Sequence, residues 1–333
     1  MPQRTAVLEQ ADATIDQVRF MDDQLRSLRT AAVGEAKALV TEANDLATEV
    51  AALNNSLRPL LLSGASPNDL LDQRDIAVGR LTDLVGGRVQ SRDDGTIDVY
   101  VGGSTIVAGG RTLELVAETV PDAAFADVNM QRLEFRFTGG GAVVPTGGDA
   151  AGLLEMANNA IPDSIRNLDQ VVNTLVTSVN ALHSTGQDLD GATGWNFFDP
   201  AGTTASTLAM SADVIDQPRR VAIATVGAGQ LDVGIGQQLA ALRDAAGGPD
   251  DQYVELVGGL GVQVGSARAR AAAQESVLRR VDEARLSVRA VNIDEEMIDL
   301  VSAQRAYEAS ARMINAVDEM LDVLVNRLGL VGR

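Results

Sequence analysis

Residues 291–329 have the sequence VNIDEEMIDLVSAQRAYEASARMINAVDEMLDVLVNRLG, in which an apolar side chain recurs at every seventh position. The repeat consists of Ile293, Leu300, Tyr307, Ile314, Leu321 and Leu328, and the same face is filled by Met297, Ala311, Val317 and Leu324. A sustained seven-residue repeat is typical of a long helix that pairs with another helix. We predict that these residues form an assembly seam. One helix of an intramolecular bundle would show the same periodicity.

The start of this helix carries capping signals. Asn292 can accept a hydrogen bond from the first turn, and Glu295 lies three residues later, where its side chain can return the bond. Asp294, Glu295 and Glu296 also lie near the positive end of the helix dipole. The sequence therefore predicts that a separate helix starts at about residue 292.

The first part of the chain has the same helical character. Residues 4–57 contain no proline and a single glycine, and a second seven-residue apolar repeat runs from Val18 to Leu53. We expect one or two very long helices that Pro59 and the following turn residues end. Pro67 can occupy the first turn of the next helix, which we expect to stop at Gly86.

A β-rich section follows. Residues 93–96 are DDGT, a hairpin-turn sequence, and the alternating run TIDVYV follows it at 96–101. Helical spacing returns near residue 150. Together these patterns predict an α+β fold, an elongated bundle of long helices from both chain ends with an inserted small antiparallel β section. The expected segments are a long-helix segment at 1–87, the β section at 88–147, a core helix at 148–183, a loop or small β segment at 184–249, a core helix at 250–290 and the C-terminal assembly helix at 291–333.

The composition restricts the possible partners. The 333 residues contain 27 basic and 46 acidic side chains, a net charge of -19, and no basic cluster longer than a pair. Nucleic acids and anionic membranes need a basic surface, so we expect neither as a partner. The absence of cysteine excludes disulfides and thiolate chemistry.

Candidate catalytic and metal-binding residues are sparse. The single histidine, His183, has no cysteine or nucleophile motif to accompany it. Asp188, Asp190 and Asp199 lie in a segment that faintly resembles a calcium loop, but the closing glutamate is missing, and we expect a solvated turn. We predict no enzyme activity, no catalytic residue, no cofactor site and no metal site.

Two segments resemble one bacterial family, the flagellar hook-associated protein 1 family of hook-filament junction proteins. The first is ASPNDLLDQRDIAVGRLTDLVGGRV at 65–89, and the second is the stretch at 291–328. A third match lies at 180–198, where Asn180, His183, Gly186, Asp188 and the pair Phe197-Phe198 follow the family's spacing. The family-motif residues in the first two segments are Ser66, Pro67, Asn68, Leu70, Leu71, Asp72, Gln73, Arg74, Asp75, Asn292, Asp294, Glu295 and Glu296.

The resemblance implies a structural adaptor that joins hook to filament, is required for filament assembly and reaches the extracellular flagellum through the flagellar type III export system. It implies as partners copies of itself, hook protein, the next hook-filament junction protein and a flagellar export chaperone on the C-terminal helix. Family members have a further N-terminal region and often an outer β domain, so we expect a core fragment that lacks both. The alternative is a cytoplasmic acidic coiled-coil scaffold protein, which would explain the repeats and the charge but not the β section.

Overall fold

A computed structural model describes residues 2–229, 231–289 and 293–322. The elements are α1 (Pro2–Leu62), α2 (Asn68–Val85), β1 (Arg88–Ser91), β2 (Ile97–Val101), β3 (Ser104–Ala108), β4 (Arg111–Thr112), β5 (Leu115–Val120), β6 (Arg132–Phe137), β7 (Ala142–Val143), α3 (Gly148–Glu155), α4 (Ile161–His183), α5 (Gly234–Ala241), α6 (Pro249–Arg289) and α7 (Ile293–Asp322). They divide into two compact units, Met1–Leu260 and Gly261–Arg333. The predicted α+β class, with long helices and a small antiparallel β section, is confirmed.

Helix α1 is continuous because helix-breaking residues are nearly absent from it. Its buried face is built largely from alanine, including Ala36 and Ala43, which are fully buried. Small side chains let α2 and the sheets approach the helix axis closely. Helix α1 contains Pro59 and ends at Leu62, within the stretch of Pro59 and following turn residues where the sequence predicted its end. Proline keeps a helical φ, but it removes one N–H bond and its ring crowds the carbonyl of residue i−4, which is consistent with α1 ending within one turn of it.

Two antiparallel sheets pack on the helices of the first unit. The strand order is β1-β2-β3-β4 in one sheet and β5-β6-β7 in the other. The predicted hairpin joins β1 to β2: Oδ1 of Asp94 accepts the backbone N–H of Thr96 at 3.1 Å, and Gly95 has a φ of 78°. The main core combines α1, α2 and α3 with inward strand residues such as Val99, Ile106 and Phe135.

A second core forms around α4. It combines α1 residues such as Leu8 and Ile15 with Leu168, Val172 and Val176 of α4 and with the loop residues Phe197, Phe198 and Leu208. A π-helical turn at Met156–Ala160 separates α3 from α4, and neither this turn nor the short helix α5 follows from the periodicity of the sequence. Leu256, early in α6, packs against the same core. None of the helices in the described parts of the chain combines the length and apolarity needed to span a bilayer.

Candidate functional site

The family-motif segment Ser66–Asp75 lies at the start of α2. The backbone oxygen of Pro67 accepts the N–H groups of Leu70 and Leu71, both at 3.1 Å, so the backbone itself supports the first turn. Exposure differs along the motif: Ser66, Asn68, Asp72 and Gln73 are exposed, Pro67, Leu70, Leu71 and Asp75 are half-buried, and Arg74 is buried. The position of Arg74 gives the motif its clearest structural role.

Asn54 of α1 and Arg74 of α2 connect these two helices to the β1-β2 hairpin, and we call this pair the hairpin joint. Arg74 is 8% exposed and donates from Nη1 to the backbone oxygen of Gly95 at 2.8 Å. Asn54 is fully buried and donates from Nδ2 to the oxygens of Ile97 at 2.9 Å and Gly109 at 2.7 Å. Its Oδ1 accepts the N–H of Ile97 at 3.2 Å.

Electrostatics make the hairpin joint sensitive to change. Burial lowers the pKa of Arg74 from its ordinary value, and the nearby Asp75 charge opposes that effect. The guanidinium Nε is buried without a hydrogen-bond partner among the described residues. The Arg74 cation donates to the backbone oxygen of Gly95 and to Oδ1 of Asn54. A buried cation is destabilised when its acceptors move away, so these contacts hold the hairpin to α1 and α2.

Two further asparagines on helical segments bind strand backbone in the manner of a neighbouring strand. Asn44 of α1 donates to the oxygen of Leu115 at 2.8 Å and accepts its N–H at 2.9 Å. Asn158 of the π-helical turn makes the same pair of bonds with Leu133, both at 2.8 Å. Each side-chain amide therefore forms hydrogen bonds with the backbone N–H and oxygen of a strand residue on the side where no described strand is paired. Sequence reasoning missed these residues; asparagine in the middle of an otherwise good helix is the signal that could have found them.

The third motif stretch forms a buried clasp at the end of α4, which we call the loop clasp (Asn180, His183 and Asp188). Oδ1 of Asn180 accepts the N–H groups of Phe197 and Phe198, both at 2.9 Å, and its Nδ2 donates to the oxygen of Phe198 at 2.9 Å. The spacing of the motif thus positions the two phenylalanines in the second core.

His183 is fully buried and uses both ring nitrogens within the protein. Nε2 accepts the N–H of Ala222 at 2.9 Å, which leaves Nδ1 as the donor to the oxygen of Trp195, 2.7 Å away. Burial lowers the pKa of His183, so the neutral ring is favoured. Neither nitrogen is available to a metal or a substrate.

Asp188 corrects one expectation from the sequence. The solvated turn is wrong for this residue, which is 5% exposed. Its Oδ1 accepts the N–H groups of Asp190 and Ala192, both at 2.8 Å, and its Oδ2 accepts the indole N–H of Trp195 at 3.0 Å. Asp190 forms an ion pair with Arg219. The carboxylate closes the loop, and no group of three or more potential metal ligands is found in the described residues.

The first turn of α1 also binds this loop. Arg4 is 7% exposed and donates from Nη1 to the backbone oxygens of Arg219, at 3.2 Å, and Val221. Burial lowers the pKa of Arg4, while the Asp188 charge raises it. Arg4 and the loop clasp together therefore connect α1, α4 and the 187–225 loop through hydrogen bonds.

Most residues of the predicted assembly seam belong to α7, and they are exposed wherever their side chains are described. Exposed fractions are 62% for Met297, 65% for Leu300, 78% for Tyr307, 63% for Ile314 and 48% for Val317, and Ala311 is exposed as well. The backbone of Ile293, Asp294, Glu295, Glu296 and Leu321 belongs to α7, but their side chains lie outside the described residues, as do Asn292, Leu324 and Leu328 entirely. Sequence reasoning missed Ile298, Val301, Met313 and Met320, which are also exposed.

Comparisons with known proteins relate most of the chain to flagellar proteins. Residues 1–198 match the family model "Flagellar hook-associated protein FlgK helical domain", and residues 284–328 match "Flagellar basal body rod FlgEFG protein C-terminal". The chain is 24% identical over 367 residues to flagellar hook-associated protein 1 of Bacillus subtilis, covering 99% of this chain and 72% of that protein. It is also 24% identical over 429 residues to the Salmonella typhimurium protein of that name, covering 97% and 76%.

A solved structure gives a partial match. The chain is similar to the flagellar hook junction protein FlgK from Burkholderia pseudomallei, with a TM-score of 0.51 and 26% identity. The alignment covers 59% of this chain and 36% of that one.

Proposed function

The chain belongs to the family of the flagellar hook-associated protein FlgK, and from this premise we propose how its surfaces serve the junction between hook and filament. It is a structural protein of the flagellar hook-filament junction. The resemblance inferred from residues 65–89 and 291–328 is confirmed. Family membership displaces the alternative of a cytoplasmic coiled-coil scaffold. We infer that it acts without catalysis.

The exposed apolar face of α7 is the observation that carries the proposal. A helix that presents Leu300, Tyr307 and Ile314 to solvent gains free energy by packing them against another helix. We propose that the assembly seam pairs with axial partners, namely copies of this chain, hook protein and the next junction protein. Before export through the type III system, a chaperone that covers the same face would keep it from associating early.

The two buried joints support an adaptor role. The hairpin joint holds the first sheet to α1 and α2, and the loop clasp holds the 187–225 loop to α4, in both cases through buried hydrogen bonds. A first unit held together in this way can transmit force between neighbours without rearranging. The division into segments at 1–87, 88–147, 148–183, 184–249, 250–290 and 291–333 stays a prediction.

A matched pair of substitutions tests the seam. Ala311→Asp places a carboxylate on the seam, and Ala309→Asp places one on the opposite side of the same exposed helix. The intrinsic helix propensity lost is the same in both, up to about 0.7 kcal/mol. Each gene replaces the natural one in the source organism. Electron microscopy of cell-attached structures and the flagellin content of the medium are then measured.

We expect A311D cells to carry hooks without filaments and to release flagellin into the medium, while A309D cells build filaments. Immunoblots of the medium control for loss of export or degradation. Equal filament assembly in the two strains would contradict the seam, and so would failure of both, because the seam would then be no more sensitive to a new charge than the opposite side of α7.

A further inference from the structure

Asp22 is a buried carboxylate on the inner face of α1. It is 1% exposed, and its Oδ2 accepts the Nε–H of Arg26 at 2.6 Å. Its Oδ1 is also buried and has no hydrogen-bond partner among the described residues. A buried acceptor without a donor is destabilising, so this oxygen needs an explanation.

Asp169 follows Leu168 on α4, and Leu168 packs beside Met21, the residue before Asp22 on α1. Met21 and Leu25 of α1 line one small cavity of about 220 Å³ together with Ser164 and Leu168 of α4, which places the two helices side by side here. Oδ1 of Asp169 accepts the N–H of Ala205 at 2.7 Å. Burial raises the pKa of Asp169, the Ala205 hydrogen bond opposes this, and the Asp22 charge adds to the increase.

The charges around the two carboxylates do not balance. Arg26 attracts Asp169 while Asp127 repels it, and Arg26 also donates from Nη1 to the oxygen of Val128 at 2.9 Å. Arg166, the nearest arginine on α4, is paired with Asp127 and Asp163. Arg29, on the next turn of α1, donates to backbone oxygens. One guanidinium therefore faces both Asp22 and Asp169, which leaves one negative charge in excess.

We propose that Asp22 and Asp169 form a proton-binding site in which a single proton is held between their carboxyl groups. The proton comes from solvent, resides on Asp169 and is donated to Oδ1 of Asp22, the oxygen that otherwise has no partner. With Arg26, the protonated site carries no net charge. Both helices are then joined by a hydrogen bond that exists only when the proton is bound.

The direction in which stability changes with pH follows from this arrangement. In the unfolded chain Asp169 titrates near the ordinary value of about 3.9, whereas in the folded protein its pKa is raised. The folded protein then binds more protons than the unfolded chain between these two values. This stabilisation is fully present below the unfolded pKa and is lost as the pH rises through the folded pKa.

Asparagine replaces the proton with an amide N–H. We expect Asp169→Asn to raise the stability of the full chain at pH 7.5 and to lose that advantage as the pH falls to 4.5. The ratio of unfolding constants, parent over variant, should change about tenfold for each unit by which the site raises the pKa. Asp23→Asn, at an exposed position on the same helix, is the control, and its urea-unfolding profile should run parallel to that of the parent across this range.

Carboxyl ¹³C NMR of the parent protein provides a second measurement that does not require the variant to fold. We expect one aspartate to titrate well above the others, and Asp22→Asn to lower its midpoint. If D169N and D23N both run parallel to the parent, or if no aspartate titrates high, the proposal is overturned. Stabilisation of the parent, but not of D169N, by Ca²⁺ or Mg²⁺ at pH 7.5 would overturn it as well, because a metal ion would then occupy the site.

Discussion

Replacing Asn54 with alanine should loosen the β1-β2 hairpin from the helices that carry it. The side chain is fully buried and bonds to the N–H and oxygen of Ile97 and to the oxygen of Gly109. The truncation leaves these backbone groups without a partner in a site closed to water. Each unsatisfied buried group costs about 1–3 kcal/mol, so we expect a total loss of about 3–5 kcal/mol in the free energy of unfolding.

The next residue supplies the control. Asn55 is exposed on the same helix and makes one long bond, 3.3 Å, to the oxygen of Gly110. Asn55→Ala gains the same helix propensity and should stay within about 0.5 kcal/mol of the parent. Urea unfolding followed by circular dichroism measures both variants, and hydrogen exchange at the Ile97 amide reports the joint locally. Free energies for N54A and N55A within about 0.5 kcal/mol of each other would refute the reasoning.

Three further predictions concern His183 of the loop clasp, Gly79 within α2 and Gly86 directly after it. Burial lowers the pKa of His183, so at mildly acidic pH the unfolded chain binds a proton at this histidine and the folded protein does not. The free energy of unfolding should therefore fall as the pH drops below about 6.5. His183→Gln removes the group that causes this decline. Urea unfolding should therefore show a smaller difference in the free energy of unfolding between variant and parent at pH 5.5 than at pH 7.5. The same difference at both pH values would contradict a neutral, buried ring. Gly79→Ala should stabilise α2 by about 1 kcal/mol, because a Cβ there meets open space. Gly86→Ala should destabilise by more than the roughly 1–2 kcal/mol of left-handed strain alone, since its Cβ would lie 2.3 Å from the backbone of Gly147; thermal unfolding that shows G86A no less stable than the parent would be inconsistent with this close approach.

Local patterns in the sequence predicted much of the helical and hairpin structure. The apolar repeat from Val18 to Leu53 reports a helix that buries one face, and α1 does so. The turn DDGT lies between β1 and β2 as expected. The short helix α5 was missed because its glycine-rich start carries little periodic signal.

The buried joints could not be predicted because their partners are distant in the chain. Asn54 and Gly109 are 55 residues apart, and His183 and Ala222 are 39 apart. Nothing in the local sequence around Asn54, Arg74 or His183 says which backbone group each will meet. The motif residues could be recognised in the sequence, but only the folded protein shows that they act as structural hydrogen-bonding residues.

The most direct test of the hook-filament role is deletion of the gene in its source organism, followed by electron microscopy of cell-attached structures and assay of flagellin in the medium. We expect hooks without filaments and flagellin released to the medium, and a plasmid copy of the gene should correct both defects. Cells that keep intact filaments after the deletion would contradict it.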